Sequence, residues 1–320
     1  MSLIIHLGLL LAALAVLAWS ADRFVDAAAR LSLRSGLSMT LIGVVVVGFG
    51  TSAPEILVSA LSALDDRPEL AVGNAIGSNI ANVALILGLT ACIIPIRERL
   101  LAVRSAYTMA ALASVILVPL IVDGQLARGE GLLLLLLLPL ALGWLIWRPD
   151  TAPVVGIDGG SVDAEADGAS QRESLPVLMA WLLLALILLL LGAQLLVHAA
   201  STLARLAGIS ELVIGLSVVA LGTSLPELAT TLAAARQGRF GLVVGNILGS
   251  NLFNLLAVLG LAAVITPPTL SLLTLTRDVG LMNLLLVILG LLLWRGGIGR
   301  WAGGLLIGIY AIYQIVIYTT

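Results

Sequence analysis

The sequence predicts an all-α membrane protein of ten transmembrane helices, built as two inverted-topology five-helix repeats. Three observations carry that prediction. Of the 320 residues, 60% are hydrophobic and only 11% charged, with a mean hydropathy of +1.16. Soluble domains carry about 25% charged residues, so most of this surface must face something other than water. The stretch 43–88 returns without a gap at 215–260, 172 residues later, with 20 of 46 positions identical. The kept positions include every polar residue of the two motifs, as in Gly50-Thr51-Ser52-Ala53-Pro54-Glu55 against Gly222-Thr223-Ser224-Leu225-Pro226-Glu227. Finally, equivalent hydrophobic spans lie five apart, and an odd offset turns the second copy upside down in the bilayer.

A hydrocarbon core about 30 Å thick needs roughly 20 apolar residues per helix. On that ruler the spans are 3–20, 39–64, 70–91, 104–122, 130–147, 175–198, 210–235, 241–265, 271–294 and 301–318. The first lacks the basic start of a signal peptide and aligns with the span at 175–198, so it is expected to be retained. Residues 1–147 then form the first repeat and 175–320 the second. Between them, 148–174 holds Asp150, Asp158, Asp163, Glu165 and Asp167 among Gly and Ser, the composition of an acidic cytoplasmic linker. It lacks the ligand order of an EF-hand loop.

All basic residues are arginine. Twelve fall on one side of the predicted layout and four (Arg67, Arg128, Arg205, Arg277) on the other, which places both termini outside the cytoplasm of a cell (inner) membrane. Trp19, Trp144, Trp147, Trp294 and Trp301 sit near cytoplasmic span ends, where interfacial anchors belong. The single Cys92 excludes an intrachain disulfide, and His6 and His198 stand alone in apolar surroundings.

The doubled motif carries the chemistry. Pro54, with Gly48 and Gly50 before it, should break a helix at membrane depth, which is tolerated only against protein or a polar cavity. The break is expected to free carbonyl oxygens near Gly48, with Thr51 and Ser52 adding hydroxyls and Glu55 a carboxylate. Asn74, Ser78 and Asn82 then recur every fourth residue along one helix face. The second copy supplies Ala220, Gly222, Thr223, Ser224 and Glu227, followed by Asn246, Ser250 and Asn254. Face to face, the copies make a cage of oxygens around two carboxylates, suited to hard cations such as Na+, Ca2+ or H+. A carboxylate at mid-bilayer costs about 2.5–3.5 kcal/mol on insertion scales. Accepting that cost twice implies function. Asn79 and Asn251, one residue off the stripe, read equally as packing groups, and Ser59, Ser62, Thr230 and Thr231 as a polar path or as back-bonding hydroxyls.

At these residues the chain resembles the Ca2+/cation antiporter superfamily, specifically prokaryotic Na+/Ca2+ exchangers. Both signatures, G-T-S-x-P-E and G-x-x-x-G-S-N-x-x-N, stand whole, and the layout covers essentially the entire chain. The resemblance implies a central site occupied alternately by several Na+ or one Ca2+, with Glu55 and Glu227 bridging the cation sites. Thr51, Ser52, Ser78, Thr223, Ser224 and Ser250 would add oxygens, the Gly48 and Ala220 carbonyls would hold Na+, and Asn82 and Asn254 would complete the ring. Some relatives, including K+-dependent ones, carry Asp where this chain has Asn254. Proton-coupled relatives typically replace the Thr-Ser pair with Asn, so the pair kept in both copies favours Na+.

The expected activity is Na+/Ca2+ exchange by alternating access, and the resemblance implies that the first span of each repeat, around Leu9 to Ser20 and Ile187 to His198, slides past fixed site helices. The transported ions are the substrates, the bilayer is the only obligate partner, and no cofactor is called for. An H+/Ca2+ antiporter of the same fold and a cation channel are the competing expectations. An intramembrane hydrolase built on Ser52 or Ser224 fails, because no His or Lys accompanies either serine.

Overall fold

The computed structural model describes residues 2–147, 174–207 and 222–319. Among them the chain is helical throughout, interrupted by two isolated backbone bridges. Helix α1 spans Ser2–Ser35 and its counterpart, here α7, spans Leu175–Leu206. Both run past the ends expected at 20 and 198. In α1 the reason is that the apolar stripe Ala21, Phe24, Val25 and Ala28 stays buried through the charged turns from Asp22 to Arg30. An amphipathic extension of that kind continues a helix beyond the fully apolar segment. The two long helices pack closely, and a methyl carbon placed on Gly192 would lie 3.1 Å from the Leu17 backbone nitrogen.

The predicted break between 39 and 64 is present. Helices α2, Met39–Thr51, and α3, Ala53–Leu64, meet at a bend of 45°. The interruption is one residue, Ser52, at φ −82° and ψ 0°. Pro54 opens α3, where its missing N–H is no loss. The Gly48 carbonyl is not released as the sequence suggested: it still accepts the Ser52 N–H at 3.0 Å. Upstream, Gly43–Gly48 is wound as a π-helical turn.

Helix α4, Pro68–Ile93, follows, widening to a π turn at Asn82–Leu87. Next come α5, Arg104–Ile121, and α6, Arg128–Trp147. After α7 the described chain resumes with α8, Leu225–Arg236. Helix α9, Phe240–Ile265, carries a π turn at Asn254–Val258, the position equivalent to that in α4. Helices α10, Thr274–Trp294, and α11, Arg300–Thr319, complete the fold. Eight described helices are long and apolar enough to cross a bilayer, and the bent α2–α3 pair makes nine. The span expected at 210–235 falls partly outside the described residues, and of the linker expected at 148–174 only Ser174 lies within them.

Burial identifies the centre. Within their most apolar windows α4 is 72% buried and α9 89%, against 17% for α6 and α11. Helices α4 and α9 are therefore the pillars, and the others face lipid with exposed leucines such as Leu132, Leu136, Leu140 and Leu305. Small residues let α9 cross α2 at backbone contact. A methyl carbon on Gly249 would sit 2.7 Å from the Val44 carbonyl oxygen, and one on Gly48 would sit 3.0 Å from the Ser250 nitrogen. Close approach through glycine is the expected packing mode where lipid offers no hydrophobic driving force between helices.

The contacts between the two copies are crosswise. Ile96 and Ile298 exchange backbone hydrogen bonds of 3.0 and 2.8 Å, and the 3.2 Å bond from Leu126 to Pro268 joins the residues 172 positions away from that pair.

Candidate functional site

The site lies where α2–α3 and α4 of the first copy meet α8 and α9 of the second. Glu55 and Glu227 each open the first turn of a short helix, on α3 and α8, and both are 1% exposed. They are near enough for their charges to interact directly, and neither points at lipid.

Each carboxylate is served by hydroxyls from the opposite copy, and Glu227 also by Ser250 of its own copy. Thr223 and Ser224 lie within hydrogen-bonding reach of Glu55, while Thr51, Ser52 and Ser250 lie within reach of Glu227. The Ser52 hydroxyl donates to Glu227 Oε1 at 3.4 Å. Thr51 donates to Asn246 Oδ1 at 3.1 Å and shares a 3.4 Å contact with the Ser250 hydroxyl. Ser250 also donates to the Gly48 carbonyl at 3.4 Å, bringing that predicted oxygen into the same network. Ser78 is buried on α4 one turn before Asn82. Ala220 lies outside the described residues.

Two asparagines hold the carboxylate-bearing helices in place. Asn74 donates to the Glu55 carbonyl at 3.4 Å and to the Ser59 hydroxyl at 2.9 Å. Asn246 repeats the pattern on Glu227 at 3.4 Å and on Thr231 at 3.0 Å, and adds Thr230 at 3.1 Å. Sequence reasoning had both on the polar stripe but not in the set of site residues. The signal available was their identity at a spacing of 172, the same signal that marked the ligand candidates. Of the hydroxyls left open, Ser59, Thr230 and Thr231 all accept from these asparagines, and Thr230 also back-bonds to the Pro226 carbonyl at 2.8 Å.

The stripe ends in four more amides. Asn82 donates to Asn251 Oδ1 at 2.9 Å, and Asn254 donates to Asn79 Oδ1 at 3.0 Å. Four acceptors here are buried without a hydrogen-bond partner: Glu55 Oε2, Glu227 Oε2, Asn82 Oδ1 and Asn254 Oδ1. They form two pairs related by the spacing of 172. Leaving such atoms unpaired costs about 1–3 kcal/mol each, more for a charged oxygen. A set made only of acceptors is what a desolvated hard cation requires.

Known proteins resemble the chain along nearly its whole length. The family model described as sodium/calcium exchanger protein matches residues 5–147 and again 177–319. The chain is 40% identical over 314 residues to the inner membrane protein YrbG of Escherichia coli K12, covering 97% of this chain and 96% of that one. It is 38% identical over 318 residues to the putative antiporter CaxA of Alkalimonas amylolytica, covering 97% and 98%. Among solved structures, the sodium-calcium exchanger NCX_Mj, soaked with Na+ and Sr2+, superposes with a TM-score of 0.83 at 31% identity, covering 98% of this chain and 99% of that one. With both halves matched by one family model and its full length shared with such relatives, the chain belongs to the sodium/calcium exchanger family of the Ca2+/cation antiporter superfamily, a multi-pass membrane protein of the antiporter class.

Proposed function

We propose that the protein exchanges Na+ for Ca2+ across the cell membrane by alternating access at the Glu55–Glu227 cage. The observation that carries this reading is the four buried, unpartnered acceptors, two of them carboxylate oxygens, within a ring of hydroxyls. Two carboxylates present a fixed charge of about −2 in a medium where unpaired charge is costly, so a bare cage cannot cross. One Ca2+ balances that charge. Several Na+ sharing the same oxygens balance it as well and displace Ca2+ by mass action. Coupled exchange follows, because only a loaded cage moves.

Glu55 and Glu227 bridge the ions, Thr51, Ser52, Thr223, Ser224, Ser78 and Ser250 supply hydroxyl oxygens, and Asn82 and Asn254 supply amide oxygens. The Gly48 and Ala220 carbonyls take Na+. The architecture is a ten-span pair of inverted repeats, 1–147 and 175–320, with an acidic cytoplasmic linker and both termini outside. The crosswise contacts, which come in pairs related by a shift of 172 residues, support the inversion, since reciprocal pairing is the signature of a two-fold relation. The arginine distribution, twelve against four, supports the orientation.

Reconstitution tests the proposal. Vesicles loaded with Na+ and diluted into Na+-free medium should take up 45Ca2+, and a pH gradient alone should not drive uptake. Glu55→Gln and Glu227→Gln should each abolish the flux. Uptake driven by protons without Na+ would transfer the coupling to H+, and near-normal uptake in either variant would refute the site.

A further inference from the structure

Asn79 and Asn251 stand one residue off the ligand stripe and could be dismissed as packing amides. Their hydrogen bonds say otherwise. Asn79 donates from Nδ2 to the Asn251 main-chain carbonyl at 3.3 Å, with the Met282 sulfur of α10 behind it at 3.6 Å. A main-chain carbonyl only accepts, so the group it takes from Asn79 must be the NH2. That leaves Asn79 Oδ1 to receive Asn254, which must present its own NH2, at 3.0 Å. The orientation of Asn254 is thereby decided, with Oδ1 left over, buried and unpartnered. Across the molecule Asn82 gives its NH2 to Asn251 at 2.9 Å, and its Oδ1 is likewise left over. Amides serving only to glue helices would leave no such oxygens, since each carries a desolvation cost.

We propose that Asn79 and Asn251 are positioning residues for the cation site. Each occupies the NH2 of the ligand asparagine from the opposite repeat, Asn79 for Asn254 and Asn251 for Asn82, so that the ligand can offer only its oxygen. An unheld amide could turn its NH2 toward the cation and repel it. The clasp also favours an amide over a carboxylate at position 254. An Asp there would set oxygen against Asn79 Oδ1 unless Asn79 turned over, which would forfeit its bond to the Asn251 carbonyl. The cage is thus held at two acidic groups. This inference rests on the reading of the site as a cation cage.

The test is equilibrium 45Ca2+ binding to the purified full-length protein, paired with uptake kinetics in vesicles. Asn79→Ala should weaken Ca2+ binding by about 10-fold to 100-fold, the usual consequence of losing the partner that orients a metal ligand, while uptake at saturating Ca2+ is largely kept. The cross-pairing is the readout a structural role would not give. Asn79→Ala should add less to Asn254→Ala, whose amide it holds, than to Asn82→Ala, with which it shares only Asn251 as a neighbour, because directly coupled residues fail to add most. Wild-type affinity in Asn79→Ala, or equal multiplication with both partners, overturns the proposal. If the alanine variant does not purify as a monodisperse protein, Asn79→Ser carries the same expectation and the same refutation. Glu55→Gln in the same assay reports separately on the cage. Full Ca2+ binding by that variant removes the site reading, and this inference with it. Loss of binding there with unchanged binding in the Asn79 variants removes the inference alone.

Discussion

Asn246 bridges the two copies. It accepts from Thr51 on one while its NH2, with two hydrogens, lies within reach of three acceptors on its own: Thr231, Thr230 and the Glu227 carbonyl. Its counterpart Asn74 makes two such bonds and is only partly buried. Removing either should cost about 1–3 kcal/mol for each buried partner left unsatisfied. Asn246→Ala should therefore lower the thermal midpoint in detergent more than Asn74→Ala does. Equal shifts would show that the extra bonds of Asn246 contribute nothing. The sequence flagged both residues through repetition but could not separate clamp from ligand, because both uses call for the same amide at the same i+4 spacing.

Among the elements, the α2–α9 crossing sets how near the two copies come. At Gly249 a single methyl group would meet the Val44 backbone at 2.7 Å, and a main-chain neighbour cannot move aside as a side-chain tip can. Gly249→Ala should push α9 off α2, separate Ser250 from the Gly48 carbonyl and abolish uptake with a clear loss of stability. Gly280→Ala, at the foot of α10 with nothing within 4 Å, should leave uptake and thermal midpoint near wild type. Thermal unfolding and 45Ca2+ uptake on the two variants decide the matter. The glycines at 245 and 249 are legible in the sequence as part of the G-x-x-x-G-S-N-x-x-N signature. Which helix they admit is not, since the partner lies in the other copy.

For the molecule as a whole, α1 and α7 pack on each other and touch the site helices, with Phe24 and Leu186 lying against Gly50. The C-terminal half of α1 is latched by polar contacts: Gln237 donates to the Asp22 carbonyl at 3.3 Å, and Arg239 reaches the Val25 carbonyl at 3.0 Å and Asp26 at 3.2 Å. Partly exposed ion pairs of this kind contribute about 0–1 kcal/mol, so the latch is cheap to open. If α1 slides during transport, a bond that pins it there should stop the cycle. Asp22→Cys with Gln237→Cys, in a Cys92→Ser background, should lose uptake on oxidation and recover it on reduction. Uptake that survives complete cross-linking would show that α1 stays fixed.

What the sequence determined by itself was the membrane class, the doubled motif and the identity of the chemistry-bearing side chains. Composition and an ungapped repeat are local properties of the chain, and a carboxylate in an apolar span is conspicuous before any folding is considered. The sequence also foresaw the break at Pro54, which follows from that residue's missing N–H. It misjudged the extent of α1, because burial of an amphipathic turn depends on what packs against it. Only the tertiary structure decided which oxygens of which copy serve which carboxylate, and which amide atoms are used up. Those pairings cross between segments 172 residues apart, and no spacing along one helix can encode the direction in which a side chain from the other copy donates its hydrogen.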